Sequence, residues 1–122
     1  MKKAKYYEKL EDGQIRCFLC PHHCKISPGH VGICKARKNI DGTLYSENYG
    51  RVSSWGMDPI EKKPLYHFYP GRHIFSVGSF GCNFRCEFCQ NWQIAQLAEV
   101  PTEEVSPGDL AEVARREPGN LG

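Results

Sequence analysis

The sequence predicts an α+β fold in two parts, a cysteine-rich, hairpin-containing region over residues 1–72 and a strand–loop–helix unit over residues 73–122. Three observations carry this expectation. Asp-Gly turn signals at Asp12-Gly13 and Asp41-Gly42 each lie between short strand-forming stretches. Seven cysteines fall into a group of four, Cys17, Cys20, Cys24 and Cys34, and a group of three, Cys82, Cys86 and Cys89. From residue 73 the pattern changes to "HIFSVGSFGC", β-branched and aromatic with small residues interleaved, as in a strand buried on both faces.

Taken in order, "YYEKL" and "IRCFL" flank "EDGQ" as a first hairpin, and "GICKARKNI" and "TLYSENYG" form a second around Asp41-Gly42. "RVSSW" adds a short strand. "GMDPIEKKPLYHFYPG", with three prolines, reads as an ordered loop with one short helical turn. The strand from His73 to Gly81 leads into the three-cysteine loop. A short amphipathic helix follows, in which Ile94, Leu97 and Ala98 share a face. In a second helix Ser106 is the N-cap, Pro107 takes the first turn and Asp109 sits at N3. Leu110, Val113 and Ala114 form its apolar stripe, Arg115 and Arg116 suit its last turn, and "EPGN" stops it. Strand, loop and helix make half of a βαβ unit, and no parallel neighbour for the strand is expected before the sequence stops at "NLG".

A chain of 122 residues has room for one domain or two small subdomains, and is too short for a complete eight-fold barrel. The formal charge of +2, with both signs interspersed, argues against a nucleic-acid partner. The polar opening "MKKAKYYEKLEDG" is not a signal peptide, and no apolar run reaches membrane-span length, so no membrane partner and a cytoplasmic location are expected. In a reducing compartment an odd count of seven cysteines points to metal ligation rather than disulfides.

In "GCNFRCEFCQNW" the spacings let one tight loop ligate three corners of a 4Fe–4S cluster through Cys82, Cys86 and Cys89. The fourth iron is then open, which is what direct binding of a substrate or cofactor requires. Gly81 permits close backbone approach, while Phe84 and Phe88 are expected to shield the cluster on one side and Asn91 and Trp92 to cover it from water. The same cysteines also suit a zinc site completed by His67 or His73. In "CFLCPHHCKISPGHVGIC", Cys17, Cys20, Cys24 and Cys34 suit a four-thiolate site for structural zinc or an auxiliary iron–sulfur cluster, with His22, His23 and His30 as substitute ligands. Metal binding would supply folding energy where large aliphatic residues are few.

CxxxCxxC with an aromatic before its last cysteine, at the end of a predicted strand, resembles the signature of the radical S-adenosylmethionine superfamily. With "CFLCPHHCKISPGHVGICKARKN" and "YGRVSSWGMDPIEKKPLYHFYPG", it resembles the radical enzyme of the AmmeMemoRadiSam system, which is similar to pyruvate formate-lyase activating enzymes. The resemblance implies a cysteine-rich region ahead of a truncated partial (β/α)6 barrel, whose first strand carries the cluster loop at its carboxyl end. It implies that Cys82, Cys86 and Cys89 hold the cluster, with Phe88 beside the adenine of S-adenosylmethionine. The implied reaction is reductive cleavage of that cofactor to a 5′-deoxyadenosyl radical, which takes hydrogen from an unidentified substrate or a partner protein. An electron donor is implied too. Family members continue for about two hundred further residues, as barrel size requires. The chain is therefore expected to be the N-terminal portion of an enzyme and inactive alone.

Two other readings stay open, a non-catalytic zinc-binding module and a two-cluster electron-transfer protein. Asp58, Glu61, Lys62, Lys63, Tyr66 and His67 crowd the proline-rich segment, as substrate contacts or as a locally hydrogen-bonded loop.

Overall fold

A computed structural model describes residues 1–97 and 99–121. It is a mixed α/β structure of small antiparallel sheets and two helices. The strands are β1 (Lys2–Lys3), β2 (Tyr7–Lys9), β3 (Ile15–Cys17), β4 (Lys25–Ile26), β5 (Arg37–Ile40), β6 (Thr43–Ser46), β7 (Arg51–Val52), β8 (Ser54–Pro59), β9 (His73–Gly78) and β10 (Glu103–Glu104). The helices are α1 (Trp92–Gln96) and α2 (Pro107–Arg116). The sheets run β2-β3-β4, β1-β6-β5, β8-β9 and β10-β7. Among the described residues no helix is long and apolar enough to cross a membrane.

Both expected hairpins form. Tyr7 pairs with Cys17 and Lys9 with Ile15 across a 3-10 turn at Glu11–Gly13. In the second, Asp41 (φ 48°) and Gly42 (φ 75°) take the left-handed conformations that a two-residue hairpin loop requires, and Ile40 pairs with Thr43. On β3 the alternation is clean. Ile15 and Cys17 face inward, while Arg16 faces out to Glu8 at 2.8 Å. Ile15, Cys17, Ile26 and Leu44 pack into one small core, flanked by Ala4, Tyr7 and Cys24.

Asn39 is wholly buried at the junction of the hairpins. Its Nδ2 donates to the carbonyls of Gly13 (2.9 Å) and Ile26 (2.8 Å), and its Oδ1 accepts from the Gly42 amide (2.9 Å). Removing the amide leaves two carbonyls and an N–H without their partner. Asn39→Ala should therefore cost about 3 kcal/mol of stability, read as a lowered urea midpoint with an unchanged slope.

Several expectations change beyond residue 53. The segment "GMDP" is strand, not loop: β8 runs to Pro59 and pairs in full with β9, from Ser54 opposite Gly78 to Pro59 opposite His73. Its sequence lacks a β-branched run, so the partner strand imposes the conformation. The expected helical turn is the 3-10 segment Ile60–Lys62, anchored by fully buried Ile60. Strand β9 stops at Gly78 rather than Gly81, and it is not buried on both faces. His73 and Val77 are exposed and its other residues half-buried. Among the described residues no parallel strand pairs with β9, whose strand partner is the antiparallel β8. After α2 the chain returns beside β9, pairing Asn120 with His73 in parallel, with the Leu121 amide donating to the His73 carbonyl at 3.2 Å. The Asn120 side chain accepts from the Phe75 amide at 2.8 Å.

Helix α1 ends at Gln96, because Leu97 turns to an extended ψ of 151°, so Leu97 is exposed and off the expected apolar face. Ala98, placed on that face from the sequence, lies outside the described residues, as does Gly122. Helix α2 is as expected. The Ser106 hydroxyl caps it by accepting from the Asp109 amide at 3.1 Å, and Leu110, Val113 and Ala114 are half-buried. In its last turns Arg115 and Arg116 both pair with Glu112.

Candidate metal centre

The register of the first sheet decides where the N-terminal thiols go. Ile15 opposes Ile26 and Arg16 opposes Lys25, so the next rung brings Cys17 to Cys24, whose carbonyl accepts from the Cys17 amide at 2.9 Å. Between them the chain turns tightly, with the His23 amide donating to the Cys20 carbonyl and His23 at φ 46°. Cys34 comes from a second tip. There Val31 bridges Lys38, the Gly32 amide donates to the Arg37 carbonyl at 2.8 Å, and the Lys35 amide donates to the Gly32 carbonyl at 2.9 Å. Two hairpin tips thus present four thiols to one space.

That space is a cavity of about 400 Å³ lined by Cys17, Cys20, Cys24 and Cys34. Part of its remaining wall comes from the distant loop, through Gly81, Cys82 and Asn83. Five of the seven cysteines therefore share a cavity, which sequence spacing did not foretell. Burial pushes the Cys17 thiol above its ordinary range. The Leu19 backbone amide opposes this, and the neighbouring Cys34, Cys20 and Cys24 thiols add to it. A bound cation reverses that balance by favouring thiolates.

The three-cysteine loop leaves the carboxyl end of β9. The Phe84 amide donates to Cys82 Sγ at 3.4 Å, two residues ahead, as the Leu19 amide serves Cys17 in the first tip. Amide donors of this kind stabilise a ligating thiolate. Cys86 and Cys89 form a turn, the Cys89 amide donating to the Cys86 carbonyl at 3.3 Å and the Trp92 amide to the Cys89 carbonyl at 3.3 Å. Gln96 Nε2 also donates to the Cys86 carbonyl at 3.1 Å, fixing the turn to α1. All three cysteines are partly accessible.

The donor chemistry of both groups fits soft metal ions or iron–sulfur clusters. As placed, no group of three or more His, Cys, Asp or Glu side chains among the described residues is drawn close enough to hold a metal ion. Loading would have to draw the sulfurs inward. The shielding expected of Phe84 and Phe88 is not seen, since their rings are 66% and 88% exposed and the short loop gives them no apolar surface. Asn91 and Trp92 are exposed as well. His73 stands at the amino end of β9, five residues and roughly 16 Å of strand from the end that carries the loop. The loop bearing His67 joins β8 to that same amino end. Neither is placed to complete the three-cysteine loop. His22 makes a contact of another kind, its Nε2 lying 2.8 Å from the Asn83 carbonyl.

In the proline-rich segment, hydrogen bonding within the loop accounts for the acidic groups. Lys62 and Lys63 meet Asp58 at 2.9 and 3.2 Å, and these with the Ser76 hydroxyl hold its carboxyl at about 2. Glu61 accepts from the Gly71 amide at 2.7 Å, which lowers its pKa, while Tyr66 and His67 are exposed.

The chain is similar to two proteins of Methanocaldococcus jannaschii, both described as uncharacterized. One is 51% identical over 118 residues, covering 95% of this chain and 35% of the relative. The other is 30% identical over 82 residues, covering 66% of this chain and 19% of the relative. The chain thus spans about a third or less of the length of these relatives. No family model and no solved structure matches it.

Proposed function

We propose that the chain is the cluster-binding portion of a radical S-adenosylmethionine enzyme of the activating-enzyme type, and that its first metal site lies at Cys17, Cys20, Cys24 and Cys34. The observation that carries this reading is the path of the chain around Cys82, Cys86 and Cys89. The loop leaves the carboxyl end of β9 and leads into α1, and after α2 a single parallel bridge joins Asn120 to His73. A strand whose carboxyl end hands over to a ligand-bearing loop, with a helix after it, is how a βα barrel places its site. In this reading the cluster and S-adenosylmethionine, when bound, supply reductive cleavage and a radical for hydrogen abstraction from a substrate or partner protein.

The chain's own residues bind and orient. Cys82, Cys86 and Cys89 would hold the cluster, the Phe84 amide would steady the Cys82 thiolate, and Gln96 fixes the Cys86 turn. Phe88, open to solvent beside Cys89, is free to stack on the adenine. A non-catalytic zinc module is favoured by one observation, that Cys82 shares its cavity with the four N-terminal thiols.

Reconstitution with iron and sulfide, followed by reduction and electron paramagnetic resonance with and without S-adenosylmethionine, separates the two. A cluster spectrum that shifts on adding the cofactor is expected. A cluster blind to the cofactor, or a chain that takes up zinc at all seven thiols and no iron, overturns the proposal.

A further inference from the structure

We infer that the four-cysteine site is a clamp, in which a metal ion at Cys17, Cys20, Cys24 and Cys34 fixes the three-cysteine loop in place. The inference rests on the reading of those four thiols as ligands. Its basis is where the loop is tethered. The residues on either side of Cys34 hold it directly: Arg85 donates to the Ile33 carbonyl at 3.4 Å, and Lys35 Nζ donates to the Gln96 carbonyl at the end of α1. Cys34 itself abuts the loop. A Cβ on Gly81 would stand 2.5 Å from the Cys34 carbonyl and 3.0 Å from Ala36 Cβ. From the other tip, His22 meets the Asn83 carbonyl. The two tips that supply the four thiols therefore also supply these grips on the loop.

The tips are held by a small core and by turns at their bases, and Ile33, Phe18 and Leu19 are exposed. A tetrathiolate ion ties the two tips to each other at the point where they touch the loop. The loop, with few buried contacts of its own, gains order from that tie. A backbone held in this way would favour cluster binding by Cys82, Cys86 and Cys89.

The test uses the whole chain carrying Cys82→Ala, Cys86→Ala and Cys89→Ala, so that the loop has no thiol of its own, with zinc as the probe. One equivalent of zinc should slow amide hydrogen exchange at Gly81, Ile94 and Ala95 roughly tenfold. A second variant adds Lys35→Ala and Arg85→Ala to the three loop alanines. Compared with the triple variant under the same zinc, it should bind the same zinc at the N-terminal site but lose most of that protection. Zinc uptake with unchanged loop exchange, no uptake by the triple variant, or undiminished protection in the second variant each overturns the clamp. Because the triple variant cannot hold a loop cluster, its result is independent of whether the cluster reading stands.

Discussion

Cys86→Ala should lower iron binding by the loop at least a hundredfold while leaving the N-terminal site loaded. Loss of an outer-shell partner alone typically costs about 10- to 100-fold in metal affinity, and under the proposed function this change removes a ligand outright. Cys86 is the right position to test because its thiol is outside the shared cavity, so the wall formed by Cys82 is untouched. Its structural contacts are made by its backbone carbonyl, which accepts from Gln96 and from the Cys89 amide. Alanine preserves both. Metal analysis by mass spectrometry then reads two sites in one sample. If the variant loses the N-terminal metal too, the division into four and three thiols is wrong, and Cys86 acts together with the N-terminal thiols.

Gly81→Ala should destabilise the chain by about 3 kcal/mol and detach the loop. Glycine here adopts φ 89°, where any side chain is strained by about 1–3 kcal/mol. The added methyl also has no room, with the Cys34 carbonyl 2.5 Å away, and relieving such overpacking costs about 1–3 kcal/mol more. Backbone must move on one side or the other. If the loop yields, the bond from the Gly81 amide to the Ile94 carbonyl (2.8 Å) breaks and α1 loosens with it. Urea unfolding gives the stability, and iron content after reconstitution gives the site. An alanine variant with wild-type stability and full iron loading would mean that the close contact between the two cysteine segments has no energetic weight.

Much of the local architecture was legible because its signals are local. Asp41-Gly42 specifies its hairpin by backbone conformation alone, and the Ser106, Pro107 and Asp109 sequence marks the start of α2. The extension of β8 beyond Trp55 was not legible, since Gly56, Met57 and Asp58 carry no strand pattern and depend on β9, roughly twenty residues away. Nor was the parallel return at Asn120, a pairing between positions 47 residues apart that a short "GNL" stretch does not advertise. At the site, spacing revealed which cysteines form each group. It could not reveal that Cys82 faces the other group, because that follows from the Gly81–Cys34 approach between segments far apart in the chain.

The N-terminal hairpins close over short stretches, all of them within the first 46 residues. The three-cysteine loop instead depends on partners about 50 to 60 positions earlier, at His22, Ile33, Cys34 and Lys35. A chain emerging from the ribosome amino end first completes the four-thiol tips before residue 81 exists. The loop thus meets a finished surface when it appears, and the order of translation becomes the order in which the two sets of thiols are offered to metal.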